Sequence, residues 1–249
     1  METGLFPNGN RLSIQPLQII MQDFPFLSDP LIALERIYRF FDAHTSELKP
    51  ICSKGCASCC TGNVTMTSLE GRFLLKTLPR DRRRALISIL RSKSHEPRFH
   101  PNITVNRMAK LYSEGREVDD PEPDPDPERC PLLKNGICMA YEGRPMMCRS
   151  MISKTPCSEN GYAEMDPYSF TTGTVCLQLI EHIDTSGFFG NLTDVLLELL
   201  GEETLRRKLI STHPLRILMV PPEHQEKLLP AVEALQSEIR SQGTGQMPS

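Results

Sequence analysis

The chain has 249 residues, and 28 Lys and Arg against 31 Asp and Glu leave a formal net charge of −3. With 39% hydrophobic and 24% charged residues it can bury a core without disulfides, in one or two domains, and is too apolar for disorder throughout. The near-neutral balance argues against general nucleic-acid binding, and no run of about 18 apolar residues is present to cross a membrane.

The opening Met1 to Pro7 has neither a basic region nor an apolar run behind it, so a cytoplasmic location is expected. The first 25 or so residues read as an irregular lead-in. Asp29-Pro30 then supplies an N-cap followed by Pro at the first helical position. Leu31, Leu34, Ile37, Tyr38 and Phe41 follow at helical spacing, which predicts an amphipathic helix over 30–48, stopped by Pro50. Thr67-Ser68-Leu69-Glu70 is a capping box opening a second helix that runs to Pro79. Asp81 opens a third, whose preceding and following arginines form a solvated helix start, and 103–114 is a weaker fourth.

From 117 to 128 the composition turns to alternating Pro with Asp and Glu, which predicts an exposed extended linker. Asn135-Gly136 lies between two apolar runs and predicts a tight hairpin. A short helix is expected over 145–151, and longer helices over 173–184, over 191–209 and from Pro221-Pro222 to about Arg240. The expected fold is mainly α with a small β-hairpin, its helices gathered around an irregular cysteine-rich metal-binding centre. The expected organisation is a lead-in and helix (1–49), a cysteine-cluster domain (50–157), a helical C-terminal region on the same core (158–240) and a tail (241–249).

Nine cysteines stand in this chain, an odd number, and in a reducing compartment such residues serve as metal ligands or catalytic groups more often than as disulfides. Seven fall in two groups, Cys52-x3-Cys56-x2-Cys59-Cys60 and Cys130-x7-Cys138-x9-Cys148. Short gaps let a loop wrap one centre with its amides free to bond sulfur. Cys130 and Cys138 lie near the two ends of the expected hairpin, which presents both to one side. The adjacent pair Cys59-Cys60 does not suit simple chelation of one tetrahedral ion, because neighbouring side chains point apart. A second metal, a bridging position, a reactive thiol and a strained vicinal disulfide are the open alternatives. Cys176, among Val175, Leu177, Leu179 and Ile180, reads as a core residue, and Cys157 is left unassigned.

Read together, Cys52-x3-Cys56-x2-Cys59-Cys60, Cys130-Pro131-Leu132, Gly136-x-Cys138-x2-Tyr141 and Arg144-Pro145-x2-Cys148-Arg149 resemble the YkgJ family of cysteine-cluster proteins, over about residues 50 to 150. The resemblance implies a zinc- or iron-chelating domain with Glu70 at the place where the family carries a helix Glu after the first cluster. It also makes the acidic Pro-rich segment an insertion and leaves the last 90 or so residues outside the motif. The family has no single defined reaction. Flagellin lysine methylases resemble it in carrying a comparable cluster, so a methylase-like modifying enzyme is an alternative, although no Gly-rich cofactor loop accompanies it here.

Zinc would take four thiolates at about 2.3 Å in a closed tetrahedron, and an iron–sulfur cluster also takes four. Thiolates suit both, and the x3-then-x2 spacing leans toward iron–sulfur. The same spacing occurs in radical S-adenosylmethionine enzymes, but the run of alternating strands and helices those need is not apparent. Arg144 and Arg149 flank Cys148 and are expected beside the bound group, where guanidiniums offset the charge of several thiolates. The expected ligands are thus Cys52, Cys56, Cys59, Cys60, Cys130, Cys138 and Cys148, holding zinc or an iron–sulfur cluster. The alternatives are a redox or protein-modifying enzyme, and a partner-binding module with a structural metal.

Overall fold

The computed structural model describes residues 29–48, 51–52, 54–116, 118, 128–160, 163–184, 186–202 and 208–241. The lead-in, the tail beyond Ser241 and nearly all of the acidic Pro-rich segment lie outside them. The described chain is mainly helical with a small amount of antiparallel sheet.

Helix α1 (Pro30–Thr45) starts where the sequence places it, with the Asp29 carboxylate accepting the Leu31 N–H at 2.9 Å. A single tighter turn, Ser46–Leu48, extends it. Strand β1 (Thr65–Thr67) runs directly into α2 (Ser68–Thr77), and both halves of the capping box are made between Thr67 and Glu70. Helices α3 (Arg80–Lys93) and α4 (Val105–Ser113) follow, the latter capped by Thr104. Strands β2 (Leu133–Lys134) and β3 (Ile137–Cys138) form the hairpin, and both turn residues have positive φ, 52° at Asn135 and 74° at Gly136. Short helices α5 (Met146–Ser150) and α6 (Cys157–Asn160) lead to α7 (Pro167–Ile183). Strand β4 (Phe188–Asn191), α8 (Leu192–Leu199), β5 (Ile210–Ser211) and α9 (Pro222–Ser241) complete the order.

Two elements differ from the sequence expectation. Helix α7 begins at Pro167, well before 173, because Asp166 accepts from Tyr168 and Ser169 and Pro167 occupies the first turn, the same signature that opens α1. Of the helix expected over 191–209, the described residues are helical only over Leu192–Leu199, and 203–207 lie outside them. Asn191 ends β4 and caps α8 by accepting the Thr193 N–H at 3.0 Å, and Gly201 at φ +90° follows the helix end. The resulting three-stranded antiparallel sheet, β1-β4-β5, was not foreseen. It pairs Met66 with Gly190 and Phe189 with Ile210, partners too distant in sequence for local patterning to reveal.

The core has two parts. In one, Leu34, Ile37 and Phe41 of α1 meet Val175, Leu179 and Ile180 of α7 and Leu228 and Val232 of α9. In the other, Leu74 of α2, Leu86 and Leu90 of α3 and Val195 and Leu196 of α8 enclose Leu132 from the hairpin. Each such side chain contributes about 1.5–3 kcal/mol by leaving water. Cys130 and Cys138 pack against this second part, so the hairpin cysteines sit on a fixed apolar floor. The turn Tyr141–Gly143 presses on α2 so closely that a Cβ at Gly143 would lie 2.2 Å from Thr77 Oγ1 and 3.0 Å from Leu74 Cα, which requires glycine there.

Candidate metal centre

The loop carrying the first cysteine group is pinned at both ends, to two different later segments. At its start, Ile51 N–H donates to Ser153 O at 3.0 Å, and Ser153 N–H donates back to the Cys52 sulfur at 3.2 Å. At its end, Thr61 and Arg129 form an antiparallel bridge, Cys130 N–H donates to Cys60 O at 3.1 Å, and Gly62 N–H donates to Glu128 O at 2.7 Å. Arg129 also donates to Ala57 O at 3.0 Å, bracing the turn between Cys56 and Cys59. The two cysteine groups, with 69 residues between Cys60 and Cys130, therefore meet through backbone hydrogen bonds. The hairpin register sets Leu133 opposite Cys138, and Leu133 N–H closes a turn onto Cys130 O at 3.0 Å.

The thiols act on one another electrostatically. Cys59 donates its S–H to Cys60, which pushes Cys59 up and holds Cys60 below the usual thiol range. Burial raises Cys130 to about 11, and burial followed by the charges of Cys130, Cys138 and Cys59 raises Cys148 well above a free thiol. Burial also raises Cys138, opposed by a backbone hydrogen bond and by Arg144, and raises Cys52. Several thiols this close cannot all ionise unaided, which is the condition under which a cation is bound with release of protons. Among the described residues, however, no three Cys, His, Asp or Glu side chains are drawn tightly enough together to hold an ion as they stand.

The polar surroundings fit thiolates. Arg144 lies over the Tyr141 ring at 4.0 Å and acts on Cys138, while its Nε–H is buried without an acceptor. A buried donor left unmatched costs about 1–3 kcal/mol, and an ionised sulfur nearby would relieve it. Lys54, between Cys52 and Cys56 in sequence, has its Nζ 5.5 Å from the centroid of the same Tyr141 ring. Arg149 donates to Arg144 O at 3.0 Å and Glu142 O at 2.8 Å, faces Asp42 at 3.6 Å and lies over the Tyr38 ring at 4.1 Å. It braces the 142–149 segment through backbone carbonyls.

Glu70 is the hub beneath this segment. Fully buried, its carboxylate accepts the Met146 N–H at 2.7 Å, the Thr67 N–H at 2.9 Å and the Tyr38 hydroxyl at 3.3 Å. It thereby ties α1, α2 and the first turn of α5, the helix that carries Cys148. Desolvation raises its pKa, against the pull of those hydrogen bonds. The sequence shows its capping role but not its bonds to Tyr38 and Met146.

Cys176 is fully buried in α7 with its sulfur 4.0 Å from Ile37 O, a core residue as the sequence suggests. Cys157, left unassigned by the sequence, is buried at the start of α6 and acts on Cys52. No protein-family model, no curated protein and no solved structure matches the chain. No described helix is long and apolar enough to cross a membrane.

Proposed function

We propose that this is a metal-binding protein whose clustered thiolates, Cys52, Cys56, Cys59, Cys60, Cys130, Cys138 and Cys148, hold zinc or an iron–sulfur cluster, with the loop spacing favouring iron–sulfur. The observation that carries the reading is the backbone bridge between Cys60-Thr61-Gly62 and Glu128-Arg129-Cys130. It brings two cysteine groups from distant parts of the chain into one electrostatic neighbourhood, where shared thiols resist ionising without a cation. The unmatched Nε–H of Arg144 supports the same reading. The cysteine spacing over residues 50 to 150, which resembles that of the YkgJ family, is the sequence basis of the same reading.

Bound there, the group would fasten the two halves of the motif together and, as an iron–sulfur cluster, would add electron transfer. The chain's own part is to hold the sulfurs on the hairpin floor and to offset their charge with Arg144 and Lys54. A thiolate-dependent enzyme is the second reading, favoured by the S–H bond from Cys59 that keeps Cys60 the most acidic of the clustered thiols with a resolved shift.

The test is anaerobic purification followed by an absorption spectrum and elemental analysis of one sample. Iron with sulfide and a broad band near about 400 nm identifies a cluster. A colourless chain with stoichiometric zinc identifies a thiolate zinc site. A chain that carries neither, and that takes up neither after reduction, refutes metal binding.

A further inference from the structure

Beside the seam in which Leu34 and Ile37 of α1 meet Leu228 and Val232 of α9, the two helices part around a cleft of about 500 Å³. That volume is within the range of small-molecule sites. The positions bordering it are small, Ala43 on α1 and Ala231 and Ala234 on α9. A methyl group at each leaves space that longer side chains would fill. Phe40 and Leu235 make its floor apolar, and the His44 ring lies 4.1 Å from the Phe40 ring.

The wall of this cleft includes Arg36, a guanidinium that is only 8% exposed. Burying a cation is costly unless it is paired and hydrogen-bonded. Arg36 makes two contacts, both through Nη1: to Glu238 O at 2.7 Å and to the Glu238 carboxylate at 3.3 Å. Its buried Nε–H has no acceptor among the described residues. That N–H lies on the edge of the guanidinium away from Nη1, where two parallel N–H groups match the two oxygens of a carboxylate. Arg39 stands exposed at the rim. Arg36 and Arg39 against Glu238 leave the lining with one excess positive charge.

We propose that the cleft between α1 and α9 binds an organic monocarboxylate with an apolar body. A small turn of the guanidinium, still held at Nη1, presents the free edge of Arg36 to the ligand carboxylate. The hydrocarbon then lies on Phe40 and Leu235, in the space left by the alanines. The single excess charge matches a monoanion, and the Glu238 carboxylate in the lining opposes a second negative charge such as a phosphate monoester carries. No cysteine lines the cleft among the described residues, so the site stands whether or not the thiolates hold a metal.

The experiment is isothermal titration calorimetry on the full-length chain as isolated, at pH 7.5, with octanoate as the probe. One saturable site is expected, with a Kd below about 1 mM. 1-Octanol, which lacks the charge, and octyl phosphate, which carries a second one, should each bind at least about 10-fold more weakly. Arg36→Gln should weaken octanoate by about 10- to 100-fold, the range of a hydrogen bond between charged groups. Ala231→Leu and Ala234→Leu keep good helix formers in α9 and fill the cleft, so both should abolish binding without lowering the melting temperature. Arg82→Gln, on the exposed face of α3, should bind as the wild type does.

Absence of saturable octanoate binding by the wild type overturns the proposal. Undiminished binding by Ala231→Leu and Ala234→Leu overturns it as well, because the probe would then occupy another place. Octyl phosphate binding more tightly than octanoate would refute the assignment to a monocarboxylate. Should Arg36→Gln fail to fold, the two alanine variants decide the matter, since neither removes a contact that holds α1 to α9.

Discussion

Replacing Glu70 with Ala tests whether one buried carboxylate holds the cysteine-bearing segment to the helical core. The substitution removes the acceptor for Met146 N–H at 2.7 Å, Thr67 N–H at 2.9 Å and Tyr38 Oη at 3.3 Å, in a position with no exposure to water. Two buried backbone donors left unmatched cost about 1–3 kcal/mol each. Relief from burying a carboxylate, which desolvation already disfavours, offsets part of that. The net loss is on the order of 3 kcal/mol, a large share of the roughly 5–15 kcal/mol that holds a domain together.

Urea unfolding at pH 7.5, followed by far-ultraviolet circular dichroism, reads this directly as a lower midpoint at unchanged slope. Because Met146 opens the helix that carries Cys148, Glu70→Ala should also release metal more readily to a chelator. Glu70→Gln should fall between the two, since its amide NH2 must face either the Thr67 or the Met146 N–H, donor against donor. A Glu70→Ala midpoint within error of the wild type would refute the hub assignment, because it would mean that neither buried donor depends on this carboxylate.

Two further outcomes follow from the geometry. Arg144→Gln and Arg144→Lys are both expected to weaken metal retention by about 10–100-fold in chelator competition, since each loses the buried Nε–H beside Cys138; wild-type retention in Arg144→Lys would show that charge alone suffices. His182 Nδ1 accepts the Leu215 N–H at 3.0 Å, and burial, then Arg216, lower its pKa from 6.5. Its unfolded form binds the proton more readily, so its stability contribution is complete above pH 6.5 and is lost as the pH falls through the folded value. The urea midpoint of the wild type should therefore drop from pH 7.5 to 5.5 by more than that of His182→Asn, which keeps an acceptor but cannot titrate; parallel drops would remove His182 as the cause.

What was legible in the sequence was local. Asp29-Pro30, the Thr67–Glu70 box and Asn135-Gly136 each encode their structure within a few residues, through side-chain caps and left-handed turns. The clustering of seven cysteines was equally plain, because spacing is a property of the string itself. Asp166-Pro167 carried the same signal as Asp29-Pro30, yet Thr171-Thr172-Gly173 are weak helix formers and obscured the first turns of α7.

The tertiary structure alone decided which distant segments meet. Phe189 and Ile210 flank a strongly helical leucine run, and only pairing with β1 turns the residues before that run into a strand. The cysteine groups likewise meet through a bridge of backbone amides whose donors and acceptors carry no sequence identity. Glu70 reads as a helix cap in one dimension and becomes a link among Tyr38, Thr67 and Met146 in three. Cys157 gains a neighbour in Cys52 because Ile51 N–H donates to Ser153 O across 101 intervening residues and Ser153 N–H donates to the Cys52 sulfur. Caps and turns act over a few residues and are written in side chains, whereas long-range backbone pairing is chosen by the packing of the whole core.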